Sequence, residues 1–157
     1  MTNDLQVKIN FATGSDIAEH LQECSRGFVP PLEERIEIFD YTNKIMQNAE
    51  RIETWAGDKL VGLIAAYCND QSCHRSFITN FSVLPSWQRH GIGRSLLQHA
   101  SGHILRLGFD CLELKVHVDN KQAIAFYCNG GFVVKGQLNQ WLFMEKHLEE
   151  IQNERNA

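Results

Sequence analysis

Apolar and polar positions along the chain change their spacing several times, and each change predicts where a strand or helix begins or ends. Residues 77–84 crowd apolar side chains into a short run, which predicts a central strand that is apolar on both faces. Pro85 cannot donate a ladder hydrogen bond, so the strand ends before it. From Ile92 to Leu107 the apolar residues recur at helical spacing, which predicts a helix that begins just after Gly91.

The other periodic segments complete an α/β pattern. Runs with the spacing of strands are residues 5–11, 50–56, 59–67, 110–118, 132–135 and 141–146. Runs with the spacing of helices are residues 15–24, 32–49 and 120–128. This order predicts one domain over residues 1–157, with a mixed, mostly antiparallel seven-stranded sheet, helices on both faces and a frayed tail over residues 148–157.

The second predicted helix carries two apolar lines. The line predicted to face the core consists of Leu32, Ile36, Phe39, Met46 and Ala49. A second line, formed by Ile38, Tyr41 and Ile45, points away from the first and also needs a cover. The loop around Phe28, or the partner subunit of a homodimer, would supply that cover.

The start of the helix at Ile92 is a candidate anion site. The first amides of a helix have no partner inside it, and the aligned peptide dipoles add partial positive charge there. Gly91 and Gly93 would let a phosphate approach the backbone, and Arg89 and Arg94 place fixed positive charge beside it. The pattern therefore favours a diphosphate ligand, and the alternative is a tight turn that needs small residues only for packing.

Two common glycine loops do not match this segment. A nucleotide P-loop needs Lys and then Ser or Thr after its last glycine, whereas Arg94 and Ser95 follow Gly93 here. A dinucleotide fingerprint needs a third small residue three places after the second glycine, and Leu96 occupies that place.

The motif that remains is Q-x-x-G-x-G from Gln88 to Gly93, with V-x-P before it. It resembles the coenzyme A signature of the GNAT superfamily of N-acetyltransferases. Two downstream patterns match the same family, L-x-V-x-x-x-N and A-x-x-F-Y-x-x-x-G-F. Their residues are Leu114, Val116, Asn120, Ala123, Phe126, Tyr127, Gly131 and Phe132. The matches cover residues 60–147, while the first sixty residues, where substrate choice lies in this family, agree only in broad pattern.

The resemblance implies a sheet whose fourth and fifth strands splay apart and hold acetyl-CoA in the opening. Backbone groups of Phe81 and Val83 would pair with the pantetheine arm as a neighbouring strand does. Amides from Gln88 to Arg94 would hold the diphosphate, and Ser95 would add a hydroxyl. The residues expected to bind the cofactor are Phe81, Ser82, Val83, Gln88, Arg89, His90, Gly91, Ile92, Gly93, Arg94, Ser95, Asn120, Ala123, Phe126 and Tyr127.

The resemblance also assigns the chemistry. Tyr127 would protonate the departing thiolate, because an unperturbed tyrosine, with a pKa of about 10, keeps its proton at neutral pH. His117 is the best titratable candidate for the base that takes the proton of the amine. The other route is a relay through water oriented by Asn80 or by backbone carbonyls. Phe28 and Tyr41, together with Asn80, are the candidates for contact with the acceptor.

These features favour an acetyl-CoA-dependent N-acetyltransferase that acts on a small-molecule amine by direct attack in a ternary complex. An amino sugar, an amino acid or a polyamine would fit the aromatic candidates better than a long basic peptide. The alternatives are acetylation of a protein N-terminus or lysine, and a non-catalytic acyl-CoA-binding module.

Composition narrows the choice of partners and compartment. The chain has 157 residues, 43% of them hydrophobic, which is enough for one core. A net charge of -4 predicts neither nucleic-acid nor anionic-membrane binding. No apolar run approaches the roughly 20 residues that cross a bilayer, and the first residues lack the features of a signal peptide. We therefore expect a cytoplasmic protein.

Cysteine and histidine spacing predicts neither disulfides nor a metal site. The five cysteines form no C-x-x-C pair and are odd in number, which is typical of reduced thiols. His99 and His103 have the spacing of a metal-binding pair on a helix, but no third ligand is evident and their neighbours predict a solvated helix face.

Overall fold

The structure, a computed structural model, describes residues 4–34 and 36–149. Most of the tail predicted to fray, residues 150–157, lies outside this range. The strands are β1 Leu5–Ile9, β2 Ala49–Ala56, β3 Lys59–Tyr67, β4 Arg75–Val83, β5 Cys111–His117, β6 Val133–Leu138 and β7 Trp141–His147. The α-helices are α1 Gly14–Cys24, α2 Ile38–Asn48, α3 Ile92–Arg106 and α4 Lys121–Asn129. No helix among the described residues is long and apolar enough to span a bilayer.

The seven strands form one sheet in the order β1-β2-β3-β4-β5-β7-β6. Every neighbouring pair is antiparallel except β4 and β5, which are parallel. The predicted fold class is therefore confirmed, including the order of helices and strands.

β4 and β5 stay together for only three residue pairs, from Arg75↔Cys111 to Phe77↔Glu113, and then diverge as expected. An ion-pair network holds the paired end. Arg75 on β4 lies 2.6 Å from the carboxylate of Glu113 on β5 and 3.1 Å from that of Glu145 on β7. Lys135 on β6 contacts the same two carboxylates. The network therefore joins four strands at the point from which the sheet opens.

Each face of the sheet has its own core. α3 packs over one face, where Leu96 and Ile104 are completely buried, and α4 borders the same core through Ala123. α1 and α2 cover the other face with a second apolar cluster. Gly62 on β3 allows α3 to lie close, because a Cβ there would stand 2.8 Å from the side chain of Ile92. Such a clash would force these side chains or the helix to shift.

The prediction for the second helix is wrong in its start and in placing Phe39 in the core. A 3-10 turn at Leu32–Glu34 precedes α2, which begins at Ile38 with Glu37 as its cap. Ile38 and Ile45 enter the core, whereas Phe39 is 68% exposed. The other four residues of the predicted core line are buried or pack against the same cluster, so the interior of the protein covers both lines except at Phe39.

β4 also differs from its prediction, because its residues alternate rather than being apolar on both faces. Asn80 and Ser82 are buried, while Phe81 and Val83 are half-buried. A register shift opposite Ala65 and Ala66 adds a bulge to the strand. The polar residues therefore face α1, and the apolar ones border the opening beside β5.

Candidate active site

A cavity of about 1090 Å³ occupies the opening between β4 and β5 and reaches both faces of the sheet. We call it the central cleft. Phe81, Leu114 and Phe126 line it on the face that carries α3 and α4. Tyr41 and Lys115 line it on the face that carries α1 and α2. Two different molecules could therefore enter the cleft, one from each face of the sheet.

The edge of β4 offers unpaired peptide groups to the cleft. The amide of Leu84 donates to the carbonyl of Val61 at 2.9 Å, which fixes the alternation of hydrogen bonds between β3 and β4. Phe81 and Val83 consequently direct their peptide groups away from β3 and toward the opening. The Val83 carbonyl accepts a hydrogen bond from the side chain of Gln88 at 3.1 Å, in agreement with that direction. An extended ligand with amide groups could pair here as a strand does.

The turn before α3 presents a row of unpaired amides at the end of the cleft. The backbone ladder of the helix begins with Ser95, whose amide donates to Gly91 at 3.1 Å. The amides of residues 89–94 have no hydrogen-bond acceptor among the described residues. Gly91 has a φ of 79° and Arg89 a φ of 67°, both in the left-handed region. With Arg94 also lining the cleft, this turn has the features of an anion site.

The two glycines of the turn have different roles. Gly91 adopts a backbone conformation that side chains disfavour, although space around it is open. Gly93 is needed for packing, because a Cβ there would lie 3.3 Å from the Phe126 ring. That ring also makes an edge-on contact with Phe81, with centroids 5.5 Å apart. Gly93 thus brings α3, α4 and β4 together beside the cleft.

Tyr127 lies in the aromatic cluster on this side of the cleft. Its ring contacts those of Phe81, Phe126 and Phe132, with centroids 5.5 to 5.8 Å apart. Burial raises the pKa of the Tyr127 phenol above its usual range. Its hydroxyl has no hydrogen-bond partner among the described residues. The Tyr127 phenol is therefore a protonated hydrogen-bond donor that lines the cleft and is not bonded to another described residue.

The structure brings most of the predicted cofactor residues together. Of the fifteen, all except His90 and Ser95 line the central cleft. Those two border a smaller hollow between β1 and α3. Asn120 caps α4 as expected, because its side-chain oxygen accepts from the Ala123 amide at 3.3 Å.

His117 lines the cleft, but both of its ring nitrogens are engaged. Nδ1 accepts from the Asp119 amide at 3.1 Å, so the proton of the neutral ring is on Nε2, which lies 3.2 Å from the side-chain oxygen of Gln140. The ring also meets Trp141 edge-on. His117 as the base stays a prediction, and it would have to give up the Asp119 contact to accept a proton.

The three predicted acceptor residues, Phe28, Tyr41 and Asn80, also line the cleft. The Tyr41 hydroxyl donates to the carbonyl of Thr79 at 2.6 Å, which joins α2 to β4. The side chain of Asn80 instead contacts the Ser82 hydroxyl at 2.7 Å. Tyr41 therefore positions the wall of the cleft, while Asn80 belongs to a buried polar chain.

That chain ends at His20, which the sequence interpretation missed. Nδ1 of His20 donates to the Leu60 carbonyl at 3.1 Å, and Nε2 lies 2.9 Å from the Ser82 hydroxyl. Burial lowers the pKa of His20 to about 4, so the ring is neutral near pH 7. A signal was present in the sequence, because His20 falls on the same helical stripe as Ile17 and Leu21.

His99 and His103 have separate partners. His103 lies 2.7 Å from a carboxylate oxygen of Glu50, and His99 contacts the carbonyl of Ser95. His103 therefore joins α3 to β2, whereas His99 contacts its own helix, and the two imidazoles do not pair with each other.

Comparisons with known proteins agree with the fold. Residues 15–132 match the family model described as the acetyltransferase (GNAT) family. The [ribosomal protein bS18]-alanine N-acetyltransferase of Escherichia coli is 31% identical over 104 residues, which are 64% of this chain and 70% of that protein. An uncharacterised N-acetyltransferase of Methanocaldococcus jannaschii is 34% identical over 94 residues, 57% of this chain and 42% of that protein.

Solved structures share the same architecture. The PaiA N-acetyltransferase of Thermoplasma acidophilum, crystallised with coenzyme A, has a TM-score of 0.74 at 18% identity and covers 90% of this chain and 99% of its own. A Bacillus subtilis acetyltransferase, also in complex with coenzyme A, has a TM-score of 0.72 at 19% identity and covers 93% of this chain and 100% of its own. At these identities the likeness establishes the fold.

The buried His20 predicts a pH dependence of stability. Its folded pKa of about 4 lies below the ordinary 6.5, so the unfolded chain takes up a proton first as the pH falls. The free energy of unfolding should then drop by about 1.4 kcal/mol per pH unit from this group between pH 6.5 and pH 4. Urea denaturation of the wild type and of His20→Gln measures the difference in slope. His90→Gln, at an exposed position, serves as the control, and equal slopes for the wild type and His20→Gln would contradict the assignment.

Proposed function

This chain belongs to the acetyltransferase (GNAT) family, and we propose that it acetylates the primary amine of a small molecule by direct attack in a ternary complex. It is an acetyl-CoA-dependent N-acetyltransferase. The observation that carries the proposal is that one cleft combines an unpaired strand edge, a row of unpaired amides and an uncommitted tyrosine hydroxyl.

The residues present fit coenzyme A. The unpaired amides of residues 89–94, flanked by Arg89 and Arg94, would hold the diphosphate. Phe81 and Val83 would pair with the amides of the pantetheine arm, and Val83 would exchange its contact with Gln88 for the ligand. When bound, acetyl-CoA supplies the activated acetyl thioester.

Tyr127 would supply the proton that the departing sulfur needs. Its raised pKa keeps the phenol protonated, and its hydroxyl is not tied to another described residue. Transfer of that proton, or a hydrogen bond from it, stabilises negative charge on sulfur as the thioester bond breaks. A positioned acid of this kind typically contributes about 10²- to 10⁴-fold to the rate.

The amine must lose a proton before or during its attack. Asn80 and the backbone carbonyls of β4 would orient water that carries the proton away, and His117 is the alternative acceptor. The polar chain from Asn80 through Ser82 to His20 holds the Asn80 side chain in place. We therefore assign Asn80 an orienting role.

The bond from Tyr41 to Thr79 supports a small acceptor. It ties α2 to β4 across the wall of the cleft, so a long peptide would have to pass beside this contact. Phe28 on the preceding loop and Trp141 on β7 add aromatic surface to the same space. An acceptor with a compact apolar part would fill it.

A protein α-amine is the second candidate. It is favoured by the Escherichia coli relative, whose name gives an alanine of ribosomal protein bS18 as its acceptor. A protein N-terminus would have to enter beside Tyr41 with only its first residue or two inside the cleft.

Tyr127→Phe should lower kcat by about 10²- to 10⁴-fold while the affinity for acetyl-CoA is kept, because only the proton donor is lost. Coenzyme A release measures the rate, and calorimetry measures the affinity. Cys128→Ala, at the exposed neighbouring position, should retain wild-type activity. Wild-type turnover in Tyr127→Phe would exclude the acid role.

A screen of amines separates the candidate functions. Coenzyme A release is followed with small amines and with peptides that carry free N-termini. We expect higher kcat/KM for a small amine. Higher values for the peptides would favour a protein acceptor, and tight acetyl-CoA binding without release on any amine would favour a non-catalytic binding module.

A further inference from the structure

The central cleft carries positive charge on its acceptor side, in addition to the positive charge of the turn before α3. The cationic Lys and Arg side chains among its described lining residues are Lys44, Arg89, Arg94 and Lys115. Arg89 and Arg94 flank the turn before α3, whereas Lys44 comes from α2 and Lys115 from β5. No Asp or Glu occurs among the described residues that line the cleft. An acceptor therefore enters a site of positive potential.

Lys115 lies where the sheet opens. Glu113 forms the last pair with Phe77, so Lys115, two residues later, lies about level with Thr79 as the strands part. Leu114 and Val116 face the core under α3, so Lys115 between them faces the side that carries α1 and α2.

Lys44 approaches the same level from α2. The Tyr41 hydroxyl rests on Thr79, and Lys44 follows Tyr41 by three residues, which places both side chains on one face of the helix. Lys44 and Lys115 therefore lie on opposite walls of the same cleft, the first beside Tyr67 on β3 and the second beside Trp141 on β7.

Both ammonium groups are available to a ligand. Nζ of Lys44 lies 5.6 Å from the centre of the Tyr67 ring, and Nζ of Lys115 lies 4.9 Å from that of Trp141. Neither has an ion-pair partner among the described residues.

The carboxylates beside Lys115 on its own strand and on β7 are already neutralised. Glu113 and Glu145 share the cations of Arg75 and Lys135 in the network that closes the sheet. They therefore do not cancel the charge of the two lysines that line the cleft.

Tyr67 adds an independent observation. Its hydroxyl is buried and has no hydrogen-bond partner among the described residues, although Tyr67 lines the cleft beside Lys44. Buried polar groups are normally paired, so an orphaned hydroxyl at this position points to a ligand that completes it.

We infer that the acceptor carries a carboxylate close to its amine, as an amino acid does, and that Lys44 and Lys115 bind this carboxylate with help from the Tyr67 hydroxyl. The inference rests on the proposed function and names its substrate class. It argues against polyamines and other polycations, because like charges would meet in the cleft. The same chemistry occurs in a free amino acid and in a peptide whose first residues are acidic.

The test of the acceptor class uses pairs of amines in which one member carries a carboxylate and the other carries the neutral amide. Coenzyme A release is measured with phenylalanine and with phenylalaninamide, compared by pH-independent kcat/KM because the amide changes the pKa of the amine. Peptides beginning Ala-Asp and Ala-Asn form the second pair. We expect about a 10-fold preference for the acid in at least one pair, and the pair that shows it identifies the source of the carboxylate.

Variants assign the preference to the two lysines. Lys44→Gln and Lys115→Gln should each reduce the preference for the acid about 10-fold while turnover of the amide is kept, and the Arg variants should restore it. Lys146→Gln is the matched control, because Lys146 is on β7 but its side chain lies against Gly131. A preference that survives in both Gln variants would overturn the assignment.

A binding measurement separates this inference from the proposed function. Calorimetry compares N-acetylphenylalanine with N-acetylphenylalaninamide on protein saturated with coenzyme A, and the peptide pair is compared in N-acetylated form. Tighter binding of the acid in either pair, lost in Lys115→Gln, supports the inference. This holds even if no amine in the panel is acetylated, because the lack of acetylation would count against the proposed function alone. Equal or tighter binding of the neutral partner in both pairs overturns the inference and leaves the proposed function standing.

Discussion

The parting of β4 and β5 after the Phe77↔Glu113 pair is the constraint on which the rest of the structure depends. Peptide groups inside a sheet need partners, and a sheet that opens in its middle leaves two edges unsatisfied. The ion pairs of Arg75 and Lys135 hold the closed end, while β5 continues along β7 and β4 continues along β3. The opening is thus a fixed feature of the sheet, and a strand-like ligand is what completes it.

The second requirement is that unpaired amides lie at the end of this opening. α3 is held over the sheet by the close approach at Gly62, and α4 is held beside α3 by the close approach at Gly93. Together they place the turn of residues 89–94 and the phenol of Tyr127 at one cleft. The cofactor would bind on this face, while α1 and α2 shape the opposite entrance. In the proposed ternary complex the two substrates would therefore approach from opposite faces of one sheet.

The predictable parts of the fold were those set by local pattern. The spacing around Pro85, Gly91 and Ile92 placed a strand, a turn and a helix close to where the structure has them, and the order of elements indicated the sheet. The start of α2 was mispredicted because residues 32–34 form a separate 3-10 turn, and the exposure of Phe39 depends on contacts with the sheet that no local spacing records. β4 was mispredicted because its buried Ser82 contacts His20 on α1, 62 residues earlier in the chain, and Asn80 in turn contacts Ser82.

The candidate site likewise has a part that the sequence predicted and a part that it did not. The cofactor side was predictable from motifs, since it depends on backbone geometry near glycines. Lys44, Lys115 and Tyr67 line one cleft only because α2 packs beside the parting strands, and no spacing in the sequence records that arrangement. The most direct test of the account is the amide NMR spectrum during titration with coenzyme A. The largest shifts should fall at residues 81, 83 and 89–94, and saturation without shifts at these amides would contradict the central claim.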